Sequence, residues 1–213
     1  SIEIPDSVIS IEDRAFWKCY ELQEIFLPDT VSNIGYYTFG ECKKLKEIVI
    51  PDRVSGSWEG VFQGCTSLVS VNIPDGVISL SGTFTGCTSL EIIGIPDSVT
   101  LLDFAFENCT SLEIINIPDG ITTLFATFLG CTNLKKVDIP DSVKYIGNSA
   151  FSYCRKLESL DLPASMESIE SNAFIYCDNF DIINFAGTVE QWSGIYDSSR
   201  VKVTIHCLDG YTQ

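Results

Sequence analysis

Cysteine is the residue whose spacing first suggests chemistry in this chain of 213 residues. Eight of the nine cysteines recur every 22 or 23 residues: Cys19, Cys42, Cys65, Cys87, Cys109, Cys131, Cys154 and Cys177. Zinc sites need clustered ligands, as in a C-x-x-C pair, and this spacing provides no such cluster. A cysteine at one fixed place in every repeat packs as a small apolar residue. We therefore expect reduced, protected thiols in the core. Cys207 lies outside the register and is either unpaired, which we favour, or paired with Cys177.

A row of aspartates, each directly after a proline, is the second candidate: Asp6, Asp29, Asp52, Asp75, Asp97, Asp119 and Asp141. One hypothesis is calcium, but a single column of carboxylates does not surround an ion that needs six to eight oxygens. A carboxylate ladder, as in solenoid polysaccharide enzymes, is another. Aspartate after proline also suits turn capping, in which the carboxylate accepts a bond from a backbone N–H two residues on. We favour capping and expect no metal or other cofactor.

His206 is the only histidine, and it lies beside Cys207 on a predicted last strand. A catalytic triad places its histidine beside a nucleophile and an orienting acid. No motif context in the sequence supports such a site, and no Gly-rich phosphate loop is present. The prediction is that the chain is not an enzyme.

The repeat that positions these side chains reads C-x-x-L-x-x-I-x-I-P-D, as in residues 109–119. All eight prolines keep its register, and a phenylalanine stands three residues before each of the eight cysteines. Alternating Ile and Leu before the proline predict a short strand that the proline ends. Val and Ile or Leu after the proline predict a second inward segment, and the A-F-x-x-C stretch predicts one helical turn. Gly64, Gly86, Asn108 and Gly130 follow that phenylalanine where a left-handed residue is expected.

One repeat cannot bury its apolar face alone, so neighbouring repeats must stack into a continuous core. The expected fold is an α/β-type repeat solenoid, a right-handed coil with a parallel sheet on its concave side. Residues 1–185 give eight repeats of 22 or 23 residues and begin in mid-repeat, which indicates a fragment of a longer protein. Residues 186–213 predict a C-terminal cap, because a capping box at Thr188 and Gln191 begins a short helix and residues 201–207 alternate like a strand.

The A-F-x-x-C and C-x-x-L-x-x-I-x-I-P patterns resemble the BspA-like class of leucine-rich repeats over about residues 1–185. The resemblance implies a bacterial surface or secreted protein that adheres to host proteins or to other cells. One difference is informative, since the Asn ladder of ordinary leucine-rich repeats is replaced here by residues such as Ser7, Thr30 and Ser98. The backbone at that corner must therefore be satisfied in another way.

The net charge of −16 opposes nucleic-acid binding, which depends on cations that neutralise phosphates. No run of 18 apolar residues predicts a membrane span. Between Arg53 and Lys135 the chain has no Lys or Arg. This acidic stretch, residues 54–134, is either a solvated surface or a face for a cationic partner.

The predicted binding residues point outward from the sheet on successive repeats: Phe26, Val49, Asn72, Ile92, Gly94, Ile114, Asn116 and Asp138. Apolar patches rimmed by polar groups mark interaction sites, although strand preference alone also explains them. We predict a monomer that binds a host or neighbouring-cell surface or matrix protein here, with a glycan as a less favoured ligand. The alternatives are a passive stalk or, less favoured, a glycan-processing enzyme, which should carry loop insertions that this chain lacks.

Overall fold

The computed structural model describes residues 1–195 and 203–212, which form a stack of coils with two series of short strands. Strands are numbered in chain order. The first series contains β1 (Ile2–Glu3), β3 (Ile25–Phe26), β5 (Glu47–Ile48), β7 (Ser70–Val71), β9 (Ile114–Asn116), β11 (Lys136–Asp138), β13 (Ser159–Leu162), β15 (Ile182–Phe185) and β16 (Thr204–Cys207). The second contains β2 (Ser10–Ile11), β4 (Asn33–Ile34), β6 (Ser55–Ser57), β8 (Gly76–Ser79), β10 (Thr123–Leu124), β12 (Tyr145–Ile146) and β14 (Ser168–Ile169).

Strands of one series pair in parallel with the strand one coil away. Ile25 lies opposite Ile2, and Ile183 lies opposite Leu160. In the second series, Ile34 lies opposite Ile11. The predicted solenoid of stacked parallel coils is therefore confirmed, and the segment after each proline forms a second strand column. The first series is not one unbroken sheet, because residues 92–94 form no strand and because β3 does not pair with β5 nor β11 with β13.

A column of phenylalanine rings runs through the core. Phe16, Phe39, Phe62, Phe84, Phe106, Phe128, Phe151 and Phe174 stack with centroids 5.4–5.9 Å apart. All but Phe16 are fully buried. Trp58 is also buried and lies edge-on against Phe62, so it fills the space that Ser57 leaves in the third repeat. Its indole N–H has no hydrogen-bond partner among the described residues.

The A-F-x-x-C segments form consecutive turns rather than the predicted helical turn. In each coil the cysteine N–H donates to the phenylalanine carbonyl three residues earlier, as from Cys42 to Phe39. The phenylalanine N–H instead donates to the next coil, as from Phe39 to Val61. The residue two after phenylalanine has a positive φ in all eight coils, whether it is Gly86 at 75° or Tyr153 at 64°. Backbone bonds between coils therefore replace those that would extend a helix.

The carboxyl end adds one short helix and a hairpin. Helix α1 (Val189–Trp192) begins at a capping box formed by Thr188 and Gln191. The Trp192 ring lies 5.3 Å from that of Phe185, and the buried Ile195 follows the helix rather than belonging to it. Of the predicted last strand, Val201 and Lys202 lie outside the described residues. Strand β17 (Gly210–Thr212) pairs antiparallel with β16, a hairpin that the sequence did not predict.

Candidate functional site

The outward side chains of the first strand series, together with those of residues 92–94, form a surface that we call the strand face. Four predicted binding residues there are largely exposed apolar side chains: Phe26 at 57%, Val49 at 77%, Ile92 at 70% and Ile114 at 56%. Their neighbours in sequence, such as Ile25 and Ile115, are buried. The alternation that defines these strands therefore places the four apolar side chains in solvent.

Three adjoining grooves join these four side chains into one surface. Phe26 and Val49 line the first groove, Val49 and Ile92 line the second, and Ile92 and Ile114 line the third. We call this surface the apolar track. Because Val49 and Ile92 line the same groove, the four side chains are continuous along the strand face.

The polar members of the predicted site have different roles. The amide of Asn72 accepts a hydrogen bond from the Ile50 N–H (2.8 Å) and donates one to the Ile50 carbonyl (2.7 Å), so it completes backbone pairing. Asn116 lies opposite Asp138 in the β9–β11 pair. The Asp138 carboxylate forms an ion pair with Lys136, whose Nζ lies 2.8 Å from the Asp138 Oδ1. Neither Asn116 nor Asp138 lines the grooves of the apolar track.

The strand ladder is broken at residues 92–94, which we call the ladder break. The backbone N–H and C=O groups of Ile92, Ile93 and Gly94 form no hydrogen bond with any residue that the structure describes. The groove between Val49 and Ile92 lies on one side of this segment, and the groove between Ile92 and Ile114 lies on the other. A Cβ placed on Gly94 would meet no atom within 4 Å, so the site is open.

Carboxylates flank the apolar track. Glu24 and Glu47 line its first groove and Glu91 its third, and none of them forms an ion pair among the described residues. Glu113 differs, because Lys135 lies 2.8 Å away and lowers the pKa of that carboxyl through a hydrogen bond. Glu24 and Glu47 were visible in the outward pattern of the sequence, but nothing there indicated that they would lack cationic partners.

His206 extends the outward row of the strand face. It lies opposite Asn184 in the β15–β16 pair, and its Nδ1 is 3.2 Å from the Asn184 side-chain oxygen. Asn184 in turn donates to Asp161 at 2.7 Å. Partial burial raises the pKa of the adjacent Cys207 thiol, so its surroundings do not activate it as a catalytic nucleophile. Among these contacts, His206 therefore has no activated nucleophile beside it.

Seven buried cysteines form a ladder of hydrogen bonds. Each Sγ from Cys42 to Cys177 donates to the phenylalanine carbonyl of the preceding coil at 2.9–3.2 Å. Burial raises the pKa of these thiols, to about 12 for Cys131. Cys19 was expected to be protected, and that prediction is wrong because it is exposed. In the described structure no coil lies before the first one to supply a carbonyl or cover the thiol.

The aspartate row does not cap its turns. Each turn is closed by the backbone, as where the Val31 N–H donates to the Pro28 carbonyl at 3.0 Å. The seven carboxylates are exposed and accept no hydrogen bond from a described backbone N–H. At the next position of the turn, hydroxyl groups donate hydrogen bonds to backbone carbonyls of the preceding coil, from Thr30 to Val8 and from Ser98 to Val77. Within residues 1–195 and 203–212, no three His, Cys, Asp or Glu side chains gather into a metal-binding group.

Two carboxyls of the acidic stretch are partly buried. Partial burial raises the pKa of the Asp103 and Glu107 carboxyls within residues 54–134. In the part of the chain that the structure covers, no helix has the length and apolar character needed to cross a bilayer.

The chain is similar in structure to bacterial leucine-rich repeat proteins. A T. pallidum leucine-rich repeat protein is 27% identical over 73% of this chain and 76% of its own, with a TM-score of 0.66. A Eubacterium ventriosum leucine-rich repeat protein is 25% identical over 83% of this chain and 58% of its own, also at 0.66. The pneumococcal vaccine antigen PcpA is 20% identical over 84% of this chain and 54% of its own, at 0.56, and shows the fold alone.

Sequence comparison gives a concordant result. No curated protein matches the chain. Six copies of the BspA type leucine rich repeat region match residues 1–103 and 79–196. The match covers most of the repeats described above, including the cysteine, phenylalanine and proline columns. The chain therefore belongs to the BspA type leucine-rich repeat family.

Proposed function

We propose that the chain is a non-enzymatic binding module of a bacterial surface or secreted protein, and that the apolar track of the strand face binds a protein partner. The observation that carries this proposal is the continuity of four exposed apolar side chains, Phe26, Val49, Ile92 and Ile114, along adjoining grooves. Scattered exposed apolar residues need no explanation, whereas a contiguous patch rimmed by charge marks an interaction site.

Family membership supports the class of function. Two of the similar structures are leucine-rich repeat proteins of bacteria, and a third is a pneumococcal vaccine antigen. The partner that we propose is a host or neighbouring-cell surface or matrix protein, with a glycan as the alternative. Residues 186–213, in which Trp192 packs on Phe185, act as a cap over the last coil in this proposal.

The test compares two double variants that add the same charge to different faces. Phe26→Asp with Ile114→Asp alters the apolar track, whereas Ile9→Asp with Ile78→Asp alters exposed isoleucines elsewhere, at 64% and 51% exposure. Binding is measured to a panel of purified extracellular-matrix proteins and to intact cells, with circular dichroism as a check of folding. We expect the first variant to lose binding by at least about tenfold and the second to bind as the unmodified chain does.

Three outcomes would contradict the proposal. Equal binding by both variants would move the site to another face, with the acidic residues 54–134 as the next surface to alter. Binding by none of the proteins, the unmodified chain included, would favour a passive stalk. Release of sugars from a polysaccharide panel would favour the glycan-processing alternative.

A further inference from the structure

The ladder break gives the proposed binding face a feature that selects the kind of partner. Where coils of the first strand series pair, their backbone groups bond to each other, as where the Ile4 N–H donates to the Phe26 carbonyl at 3.0 Å. Pairing is also absent between β3 and β5 and between β11 and β13, but there each strand still pairs with the coil on its other side. At residues 92–94 no such bond forms with any described residue on either side, so the main-chain donors and acceptors of this segment, which borders two grooves, are unpaired. Peptide segments that bind a sheet obtain affinity from main-chain hydrogen bonds of this kind.

The side chains around the ladder break indicate which side chains a bound peptide segment would carry. Ile92 and Ile114 are exposed on one side and Val49 on the other, so the walls are aliphatic rather than aromatic. Aliphatic walls favour aliphatic side chains of a partner, whereas sugar rings are commonly held on aromatic faces. Gly94 leaves the backbone open, since nothing lies within 4 Å of the position where its Cβ would be.

The carboxylates beside the ladder break indicate the charge of the partner. Glu47 and Glu91 line the grooves beside the break and have no ion-pair partner among the described residues. No Lys or Arg occurs in residues 54–134, so the break lies within the most acidic part of the chain. A ligand that carries lysine or arginine would gain from these carboxylates, and an acidic one would be repelled.

We infer that the ladder break at residues 92–94 recognises a peptide segment of the partner in which aliphatic side chains alternate with Lys or Arg. This inference rests on the proposed function and narrows it to one class of ligand. The main chain of the segment bonds to the unpaired backbone groups. Its aliphatic side chains contact Val49, Ile92 and Ile114, and its cations lie beside Glu47 and Glu91.

The test uses three fluorescent heptapeptides and fluorescence anisotropy at about 0.15 M salt, where weak surface attraction is screened. The probe is Gly-Lys-Ile-Lys-Ile-Lys-Gly. One control replaces both isoleucines by serine and so keeps the charge, and the other replaces the lysines by glutamate. We expect binding of the probe, a dissociation constant at least about tenfold weaker for the serine peptide, and no binding of the glutamate peptide.

A pair of glycine variants locates the site. Gly94→Arg places a bulky cation in the open break, and Gly194→Arg makes the same change at another glycine whose Cβ would meet nothing within 4 Å. Neither glycine has a positive φ, so both substitutions leave the fold unstrained. We expect Gly94→Arg to weaken binding of the probe by at least about tenfold and Gly194→Arg to leave it nearly unchanged.

Different results would contradict the peptide inference and the proposed function. Equal weakening by both variants, or equal binding of the serine peptide, would show attraction by net charge alone and overturn the inference. Absence of probe binding, while Phe26→Asp with Ile114→Asp still abolishes binding to a surface protein, would overturn the peptide class and leave the proposed function standing.

Discussion

The Sγ of Cys109 donates a hydrogen bond to the carbonyl oxygen of Phe84, 3.2 Å away in the preceding coil. The same relationship recurs between other coils, so cysteine both fills a small core space and gives the phenylalanine carbonyl a second donor, beside the cysteine N–H of that carbonyl's own coil. A carbonyl oxygen has two lone pairs, and the thiol occupies the one that the backbone N–H leaves open. This gives cysteine an advantage over alanine at that position.

Thiol reactivity tests this arrangement. In the native protein we expect a disulfide-forming thiol reagent to react quickly with two cysteines, Cys19 and Cys207, because the other seven are buried. After denaturation without reductant, all nine should react. Rapid native reaction of more than two thiols would show that the ladder is open. Fewer than nine in the denatured protein would show disulfides.

Alkaline pH should destabilise the fold through the same thiols. The pKa of Cys131 is about 12 in the folded protein, because burial disfavours the thiolate, and about 8.5 when unfolded. The unfolded state therefore releases a proton that the native state keeps, and the stability that the thiol confers below about pH 8.5 is lost as pH rises toward 12.

The measurement compares Cys131→Ala with the unmodified chain. The variant is less stable at pH 7, but its free energy of unfolding should fall less steeply above pH 9, by about 1.4 kcal/mol per pH unit. Urea titrations from pH 7 to 10 provide the slopes. Parallel slopes would mean that Cys131 titrates equally in both states.

The phenylalanine column should carry a large share of the stability. Phe151 is fully buried between Phe128 and Phe174, with ring centroids 5.4 and 5.5 Å away. Phe151→Ala should lower the free energy of unfolding by about 3–5 kcal/mol, because it leaves a cavity. The matched control, Phe26→Ala on the exposed strand face, should cost less than about 1 kcal/mol. Similar costs for both would place Phe151 outside the core.

The sequence predicted the repeated parts of this fold because each column occupies one environment in every coil. Cysteine, phenylalanine and the inward Ile and Leu meet the same neighbours each time, so their spacing is sufficient. Features that belong to a single coil gave no such signal. In the third repeat, Trp58 occupies the core where Ser57 is too small to fill it, and this depends on the direction in which one side chain points. The hydrogen bond from the Ile50 N–H to Asn72 depends on the local separation of two coils.

The ladder break shows the same limit at the candidate site. Residues 92–94 carry the same Ile pattern as the strands on either side, so periodicity predicts a strand there. Hydrogen bonding across coils is a property of distance and orientation, which one-dimensional spacing does not specify. The apolar track was predicted residue by residue, whereas its continuity and its unpaired carboxylates required the structure.

Backbone conformation should separate two glycines that both have open space for a methyl group. Gly86 has a φ of 75° and its Cβ would lie 3.7 Å from the nearest atom, while Gly94 has no neighbour within 4 Å and no positive φ. Gly86→Ala should therefore cost about 1 kcal/mol from left-handed strain alone, and Gly94→Ala should cost close to nothing. Chemical denaturation of both variants decides it, and equal costs would contradict the left-handed assignment.

The most direct test of the binding face is hydroxyl-radical footprinting of the chain with and without its partner. If the apolar track is the interface, oxidation of Phe26, Ile92 and Ile114 should fall severalfold in the complex, while Ile9 and Ile78 should oxidise at unchanged rates. Protection of Ile9 and Ile78, with the apolar track still fully reactive, would contradict the account.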